Sequence, residues 1–226
     1  MIYAFICTRS KNLTDTAKGL SKYLSEAGVS VKFLVNQPSI FQGYQRAYEK
    51  NDIKDEDIVI LCHDDISILS SPWLFKECLA ETLKHDTGFV GVAGTKTLGP
   101  DAVWWDKAMW QARQHSGIVW HGEDPISAQA TYYGPYEQVV VMDGLFLAAS
   151  GKTLREVSLA QPEYLPGGWD YYDLHYTLTA HKKGLKNYTV PINILHNSLG
   201  ELVGRDSWHT NRQAFIERHN LPVTVS

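Results

Sequence analysis

The sequence predicts an α/β protein built on a mostly parallel central sheet flanked by helices. Three observations carry this expectation. Apolar runs at 2–7, 29–35, 57–62 and 88–93 alternate with segments of helical period at 14–27, 43–50 and 72–84. Such alternation places strands side by side in parallel, with helices on both faces. The run Ile58-Val-Ile-Leu-Cys62 has no polar member, as expected of a strand covered on both sides. Polar, chemistry-bearing residues follow the strands: Thr8-Arg9, Asn36 and His63-Asp64-Asp65. In open α/β sheets ligands bind beyond the C-terminal strand ends, so these groups are expected to share one rim.

Each element has its own signal. Residues 2–7 read as a central strand. In 14–27, Ala17, Leu20, Tyr23, Leu24 and Ala27 recur at helical spacing, and Gly28 is a natural stop. Residues 29–35 alternate apolar and polar, as a strand does. A short helix is expected over 43–50, and another from Pro72 to 84. The second half is less regular. Residues 99–136 are rich in Trp, Tyr, Gly and His with little period, which suggests excursions and a small hairpin. Residues 137–149 look like a strand broken at Asp143-Gly144. A helix over 170–183 carries Tyr171, Leu174, Leu178 and His181 on one stripe and ends at Gly184. A strand over 187–194 runs into Leu195-His196, and 207–219 suit a last helix. There is no internal repeat or low-complexity tract, so 1–226 is expected to form one domain.

Composition limits the function classes. Of the 226 residues, 44% are hydrophobic and 20% charged, an ordinary globular balance able to bury a full core. The net charge of −4 and the lack of a basic run argue against nucleic acid as a partner. The three cysteines, Cys7, Cys62 and Cys78, form no CxxC pair and read as reduced thiols of a cytoplasmic protein. No apolar run reaches the length of a membrane span, and the N-terminus lacks the basic start of a signal peptide. Membrane association is therefore expected to be peripheral at most. Seven Trp and twelve Tyr are many for this length, and several fall in loop-like segments where their faces can stack on sugar rings or bases.

Four constellations can carry chemistry. Adjacent carboxylates at the end of an apolar strand are costly unless paired or metal-bound. His63-Asp64-Asp65 therefore points to a rim that holds a divalent cation, with a diphosphate behind it. Loop capping would fit the same pair. His196 also lies just beyond a strand, and its imidazole suits Mn²⁺ better than Mg²⁺. In Gly167-Gly168-Trp169-Asp170-Tyr171-Tyr172-Asp173, the glycines allow a mobile or sharply bent approach to a helix. Asp170 and Asp173 there fit a cap and a dipole partner. Asp173 equally fits a general base. Asp143 interrupts an apolar strand, a placement that suggests use in binding sugar hydroxyls or pairing with a cation such as Arg9.

The order of these motifs resembles the family 2-like glycosyltransferases of the GT-A fold, in the branch grouped with streptomycin-biosynthesis and capsule-type transferases. The resemblance spans roughly 1–200, from Thr8-Arg9 through Gly43–Tyr48, Ile60–Ile66, Trp73-Leu74, Gly91–Gly94, Gly117–Gly122, Met142–Gly144 and Tyr172–Leu174 to Ile194–His196. It implies a nucleotide-binding half at 1–97 and an acceptor-binding half at 98–226. Thr8, Arg9 and Asn36 would face the nucleotide, and Asp64, Asp143 and Gly144 the donor. Asp65 and His196 would ligate the metal, Mn²⁺ rather than Mg²⁺. Trp169, Asp170 and Tyr172 would lie on the acceptor side, with Trp104, Trp105, Trp110, Trp120, Tyr132 and Tyr133 shaping it further. Asp173 would act as base in an inverting transfer from a UDP, GDP or dTDP sugar to a glycan or other hydroxyl acceptor. That chemistry belongs to polysaccharide or glycoconjugate biosynthesis. His63 stands where the family pattern usually has an acid, and Tyr172 where Glu is common. A non-catalytic sugar- or nucleotide-binding module is the alternative. A nucleotidyltransferase is disfavoured because Cys7-Thr-Arg-Ser-Lys lacks its Gly-rich loop.

Overall fold

The structure, a computed structural model, describes residues 1–197 and 205–225. Its first half contains β1 (Ile2–Thr8), α1 (Asp15–Glu26), β2 (Ser30–Val35), α2 (Ile40–Lys50), β3 (Ile58–Cys62), β4 (Ile66–Ile68), α3 (Pro72–Ala80), β5 (Thr87–Gly91), β6 (Ala93–Thr95) and β7 (Thr97–Leu98). The second half adds α4 (Lys107–Gln111), β8 (His115–His121), β9 (Gln129–Gly134), β10 (Gln138–Val139), β11 (Val141–Met142), β12 (Phe146–Ser150), α5 (Gly151–Val157), α6 (Tyr172–Lys182), β13 (Lys186–Thr189), β14 (Ile194–His196), α7 (Asp206–Arg218) and β15 (Val223–Thr224).

Local chemistry sets the helix starts. The Thr14, Ser39 and Ser71 hydroxyls accept from the backbone N–H groups of Ala17, Gln42 and Leu74, satisfying donors that no helical carbonyl reaches. The Ser39 cap explains why α2 begins at Ile40, three residues before the apolar period suggests. Ile40 and Phe41 then turn into the core.

The main sheet has the order β10-β13-β5-β12-β3-β1-β2. Strands β3, β1 and β2 are parallel, as are β13 and β5. Strand β12 runs antiparallel to both β3 and β5 and joins the two parallel groups. The segment 137–149 is thus three strands in two sheets, not one interrupted strand. A second sheet, β11-β6-β8-β14-β4 with β9 on β8, covers the rim side. The expected run 88–93 likewise divides between the sheets, as β5 and β6. The irregular 99–136 stretch contains the antiparallel β8–β9 pair.

The core packs aromatic rings between the main sheet and its helices. Phe75 of α3 meets Phe146 of β12 edge-on at 6.1 Å, and Phe41 of α2 meets Tyr176 of α6 at 5.4 Å. These side chains are fully buried, and each contributes roughly 2–3 kcal/mol by leaving water.

One buried polar group ties α6 to both flanking strands. The Asn187 side chain accepts from Phe89 N–H at 2.9 Å and donates to the carbonyls of Val140 and Thr177, each at 2.9 Å. Asn187→Ala leaves one donor and two carbonyls without these bonds. It is expected to lower unfolding free energy by about 3 kcal/mol in urea titrations, since an orphaned buried polar group costs about 1–3 kcal/mol. A change below about 0.5 kcal/mol would contradict this account.

Candidate active site

A cleft of about 550 Å³ opens where β1 and β3 end. Residues 7–9 and 62–65 line it because parallel strands deliver their C-terminal ends to one edge. Antiparallel β12 brings its N-terminal end to the same edge, with Asp143-Gly144 just before it. His63 N–H donates to the Leu145 carbonyl, continuing the β3–β12 ladder to the rim.

The antiparallel pairing of β4 with β14 sets His196 opposite Ile66. Asn197 N–H donates to the Asp65 carbonyl at 2.9 Å. His196 Nε2 consequently lies 3.4 Å from Asp65 Oδ2, while His63 Nδ1 lies 3.8 Å from Asp65 Oδ1. Ligand atoms of His63, Asp65 and His196 all fall within 4.8 Å of one another, close enough to share a metal ion. Asp65 Oδ1 is buried and has no hydrogen-bond partner among the described residues. A carboxylate flanked by two imidazoles, one of its oxygens buried and orphaned, is the environment a borderline divalent cation fits.

The electrostatics agree. Burial pushes the Asp65 carboxyl up, but the His196 hydrogen bond and the charge interactions with His63 and His196 outweigh it and hold it below the usual carboxylate range. Burial alone would lower His196, yet Asp65 keeps it above the ordinary imidazole value. For His63, burial dominates and favours the neutral ring.

Helix α6 enters the cleft at its N-terminus. Tyr171 adopts a left-handed backbone with φ 65°, unusual for a residue with a side chain, and this turn aims Tyr172 and Asp173 at the rim. The Tyr171 hydroxyl donates to the Ala102 carbonyl at 3.0 Å, holding that turn in place. Asp173 accepts from the N–H groups of Gly144 and Leu174, each at 2.9 Å. Burial, and then the nearby Asp143 carboxylate, raise its pKa to about 7 despite those bonds. A carboxyl poised there can exchange a proton near neutral pH.

The other expected site residues distribute as follows. Thr8, Arg9, Asp64, Asp143, Gly144, Trp169, Asp170 and Tyr172 all line the cleft. Asn36 does not. It is exposed beyond β2, with its backbone N–H bonded to Thr8 O. Asp170 is buried and accepts from Ser207 of α7 at 2.7 Å, so its carboxylate ties the loop to α7 and does not cap α6. The Gly167-Gly168 approach is clamped. Asn211 bonds both polar atoms of the Gly167 backbone, and Gly168 packs so tightly on Ser39 that a Cβ would lie 2.1 Å away. Tyr172 is buried, its hydroxyl 2.9 Å from both His63 Nε2 and the Gly144 carbonyl.

Of the aromatic stretch, Trp104 and Trp105 reach the cleft, while Trp110 and Tyr133 pack behind Trp104. Arg205, Trp208 and Tyr44 also line the cleft; the sequence carries no local signal for the first two, and Tyr44 falls in the Gly43–Tyr48 motif without a role assigned to it. His63 joins the metal-competent cluster although its motif position suggested an acid.

A family profile described as Glycosyltransferase like family matches residues 5–218. The match covers nearly the whole chain, and the protein belongs to that family. A search of curated proteins finds no match. Among solved structures, A197 from STIV superposes with a TM-score of 0.55 at 13% identity, over 87% of this chain and 85% of its own. GalNAc-T7, solved with UDP, GalNAc and Mn²⁺, superposes with a TM-score of 0.58 at 12% identity over 96% of this chain. The superposition takes in 47% of the GalNAc-T7 chain. At such identities the likeness speaks to architecture, and the fold is GT-A: a central sheet flanked by helices.

The raised Asp173 pKa has a consequence for stability. Folded Asp173 keeps its proton up to about pH 7, whereas the unfolded carboxyl releases it near pH ~4. Ionisation therefore penalises the folded state, fully above the folded pKa and not below the unfolded one. As pH rises through this window, the wild-type chain should lose stability relative to Asp173→Asn in urea titrations. A stability difference independent of pH would refute the shift.

Proposed function

We propose that this protein transfers a sugar from a nucleotide-diphosphate donor to a hydroxyl acceptor, using a divalent cation and Asp173 as general base. The observation that carries the proposal is the convergence, in one cleft, of a metal-competent triad and a carboxyl with its pKa near 7. Membership of a glycosyltransferase-like family and the UDP and Mn²⁺ held by a protein of the same fold support it.

Asp65 and His196, joined by His63, would hold the cation, with Mn²⁺ favoured over Mg²⁺ by the two imidazoles. Bound there, the cation would neutralise charge on the donor diphosphate. Thr8, Arg9 and Asp64 lie beside this triad on the nucleotide side, and Asp143 and Gly144 next to the donor sugar. Arg205, at the edge of the cleft, supplies a further positive charge. Trp169 and Trp105, both exposed, present indole faces to an acceptor, with buried Trp104 packed against Trp105, and Asp170 fixes the Trp169 loop. The donor nucleotide is of the UDP, GDP or dTDP type, and a hexose is the sugar class we assign.

In the reaction, Asp173 takes the proton of the acceptor hydroxyl. The acceptor oxygen forms a bond to the anomeric carbon as the bond from that carbon to the diphosphate oxygen breaks. The electron pair leaves with the diphosphate. A single displacement of this kind inverts the anomeric centre. Within the family, the motif order resembles the streptomycin-biosynthesis and capsule-type branch, to which we assign the chain.

Three measurements test the reading. Thermal melts with UDP, GDP and dTDP should show stabilisation by one nucleotide that requires Mn²⁺, because a ligand bound to the folded state raises apparent stability. No shift with any nucleotide would contradict donor binding. Asp173→Asn should lower kcat by ~10²–10⁴ with metal-dependent nucleotide binding retained. In the wild type, kcat/KM should rise with pH up to about 7 and then level, as the base loses its proton. Near-normal turnover in Asp173→Asn would remove the base from the mechanism.

A further inference from the structure

The Tyr172 hydroxyl has two polar neighbours at equal distance. One is the Gly144 carbonyl oxygen at 2.9 Å, and the other is His63 Nε2 at 2.9 Å. A phenol has one proton, and a carbonyl can only accept. If the phenol donated to His63, two oxygens would face each other at 2.9 Å with no hydrogen between them. The arrangement that satisfies both contacts sends the phenol proton to Gly144 O. Tyr172 Oη is then an acceptor toward His63, so His63 Nε2 must carry hydrogen. In a neutral imidazole, Nδ1 is left with a bare lone pair.

Nδ1 lies 3.8 Å from Asp65 Oδ1, the buried carboxylate oxygen that lacks a hydrogen-bond partner among the described residues. Two electron-rich atoms face each other there with no proton to bridge them. A cation between them satisfies both, and His196 Nε2 stands on the other carboxylate oxygen to complete the set.

We infer that Tyr172 is a positioning residue: by accepting from His63 Nε2–H, it fixes the tautomer that presents His63 Nδ1 as a metal ligand beside Asp65 and His196. The inference rests on the metal reading above and extends it to a residue that does not touch the metal. Gly144 makes the arrangement possible. A Cβ at that position would lie 2.2 Å from Tyr172 Oη and 2.5 Å from Cζ, so any side chain there would drive the phenol off both partners. The aromatic packing of Tyr172 against Phe41 and Tyr44 limits its ring to this site.

Two readouts independent of turnover test this. In full-length protein labelled with nitrogen-15 histidine and freed of metal by chelation, long-range proton–nitrogen spectra at about pH 8 report each imidazole tautomer. The His63 signal, identified by its absence in His63→Gln, should show the Nε2–H form. An Nδ1–H form or an imidazolium would overturn the inference. Second, Mn²⁺ affinity is read from the free-ion electron paramagnetic signal. Loss of an outer hydrogen bond to a ligating histidine typically costs roughly 10- to 100-fold, and Tyr172→Phe should weaken Mn²⁺ binding by that factor while circular dichroism stays native. Wild-type affinity in Tyr172→Phe, alongside loss in His63→Gln and Asp65→Asn, would overturn the positioning role and leave the metal reading intact. Wild-type affinity in all three variants would overturn both.

Discussion

The candidate site depends on how closely the backbone of Gly144 approaches the start of α6. Its N–H donates to Asp173 and its carbonyl accepts from Tyr172, so one residue holds the carboxyl and the phenol at once. A methyl group at Gly144 would overlap the Tyr172 ring and crowd Asp173 Cβ at 2.9 Å. This contact requires β12 to enter the sheet antiparallel, because only its N-terminal end then reaches the rim where β1 and β3 finish. It also requires the left-handed turn at Tyr171, which the Ala102 carbonyl and packing against Trp208 and Phe215 hold in place. Strained backbone of this kind persists where surrounding contacts over-determine it.

The second organising element is charge. Asp64, Asp65, Asp143 and Asp173 all line one cleft, with Arg9, Arg205 and His196 at its margin. Burial, and then the Asp143 carboxylate, raise the pKa of Asp173. On the proposed function, this environment has a use. It leaves Asp173 basic enough to accept a proton at neutral pH, while the imidazoles beside Asp65 keep that carboxyl ionised. The two differ because Asp173 is more deeply buried, with only backbone N–H groups and a like-charged neighbour, whereas Asp65 has imidazole partners.

Much of the first half was legible in the sequence. The strands β1, β2 and β3 and the helices α1 and α3 follow from apolar periodicity, the stop at Gly28 and the start at Pro72, which are local signals. The rim position of His63-Asp64-Asp65 follows from strand order. Less was legible where strands change sheets. Residues 137–149 carry one apolar pattern yet form three strands, because burial looks the same in either sheet. The glycines at 167 and 168 suggest freedom, but Asn211, far along the chain, clamps them. Asp170 and Asp173 look alike by spacing. The structure separates them by what surrounds each: a Ser207 hydroxyl for one, the Gly144 N–H and Asp143 for the other.

By itself, the sequence determined the α/β class, the rim that carries the polar residues, and the identity of Asp65, His196 and Asp173 as groups able to do chemistry. Residue type and local period suffice for these. Only the tertiary structure decided which groups meet. His63 meets a phenol 109 residues away, and His196 meets Asp65 because β14 pairs with β4. It also decided the ionisation of Asp173. Proton affinity and metal competence depend on distances of a few ångströms and on the loss of surrounding water, and packing between segments remote in the chain sets both.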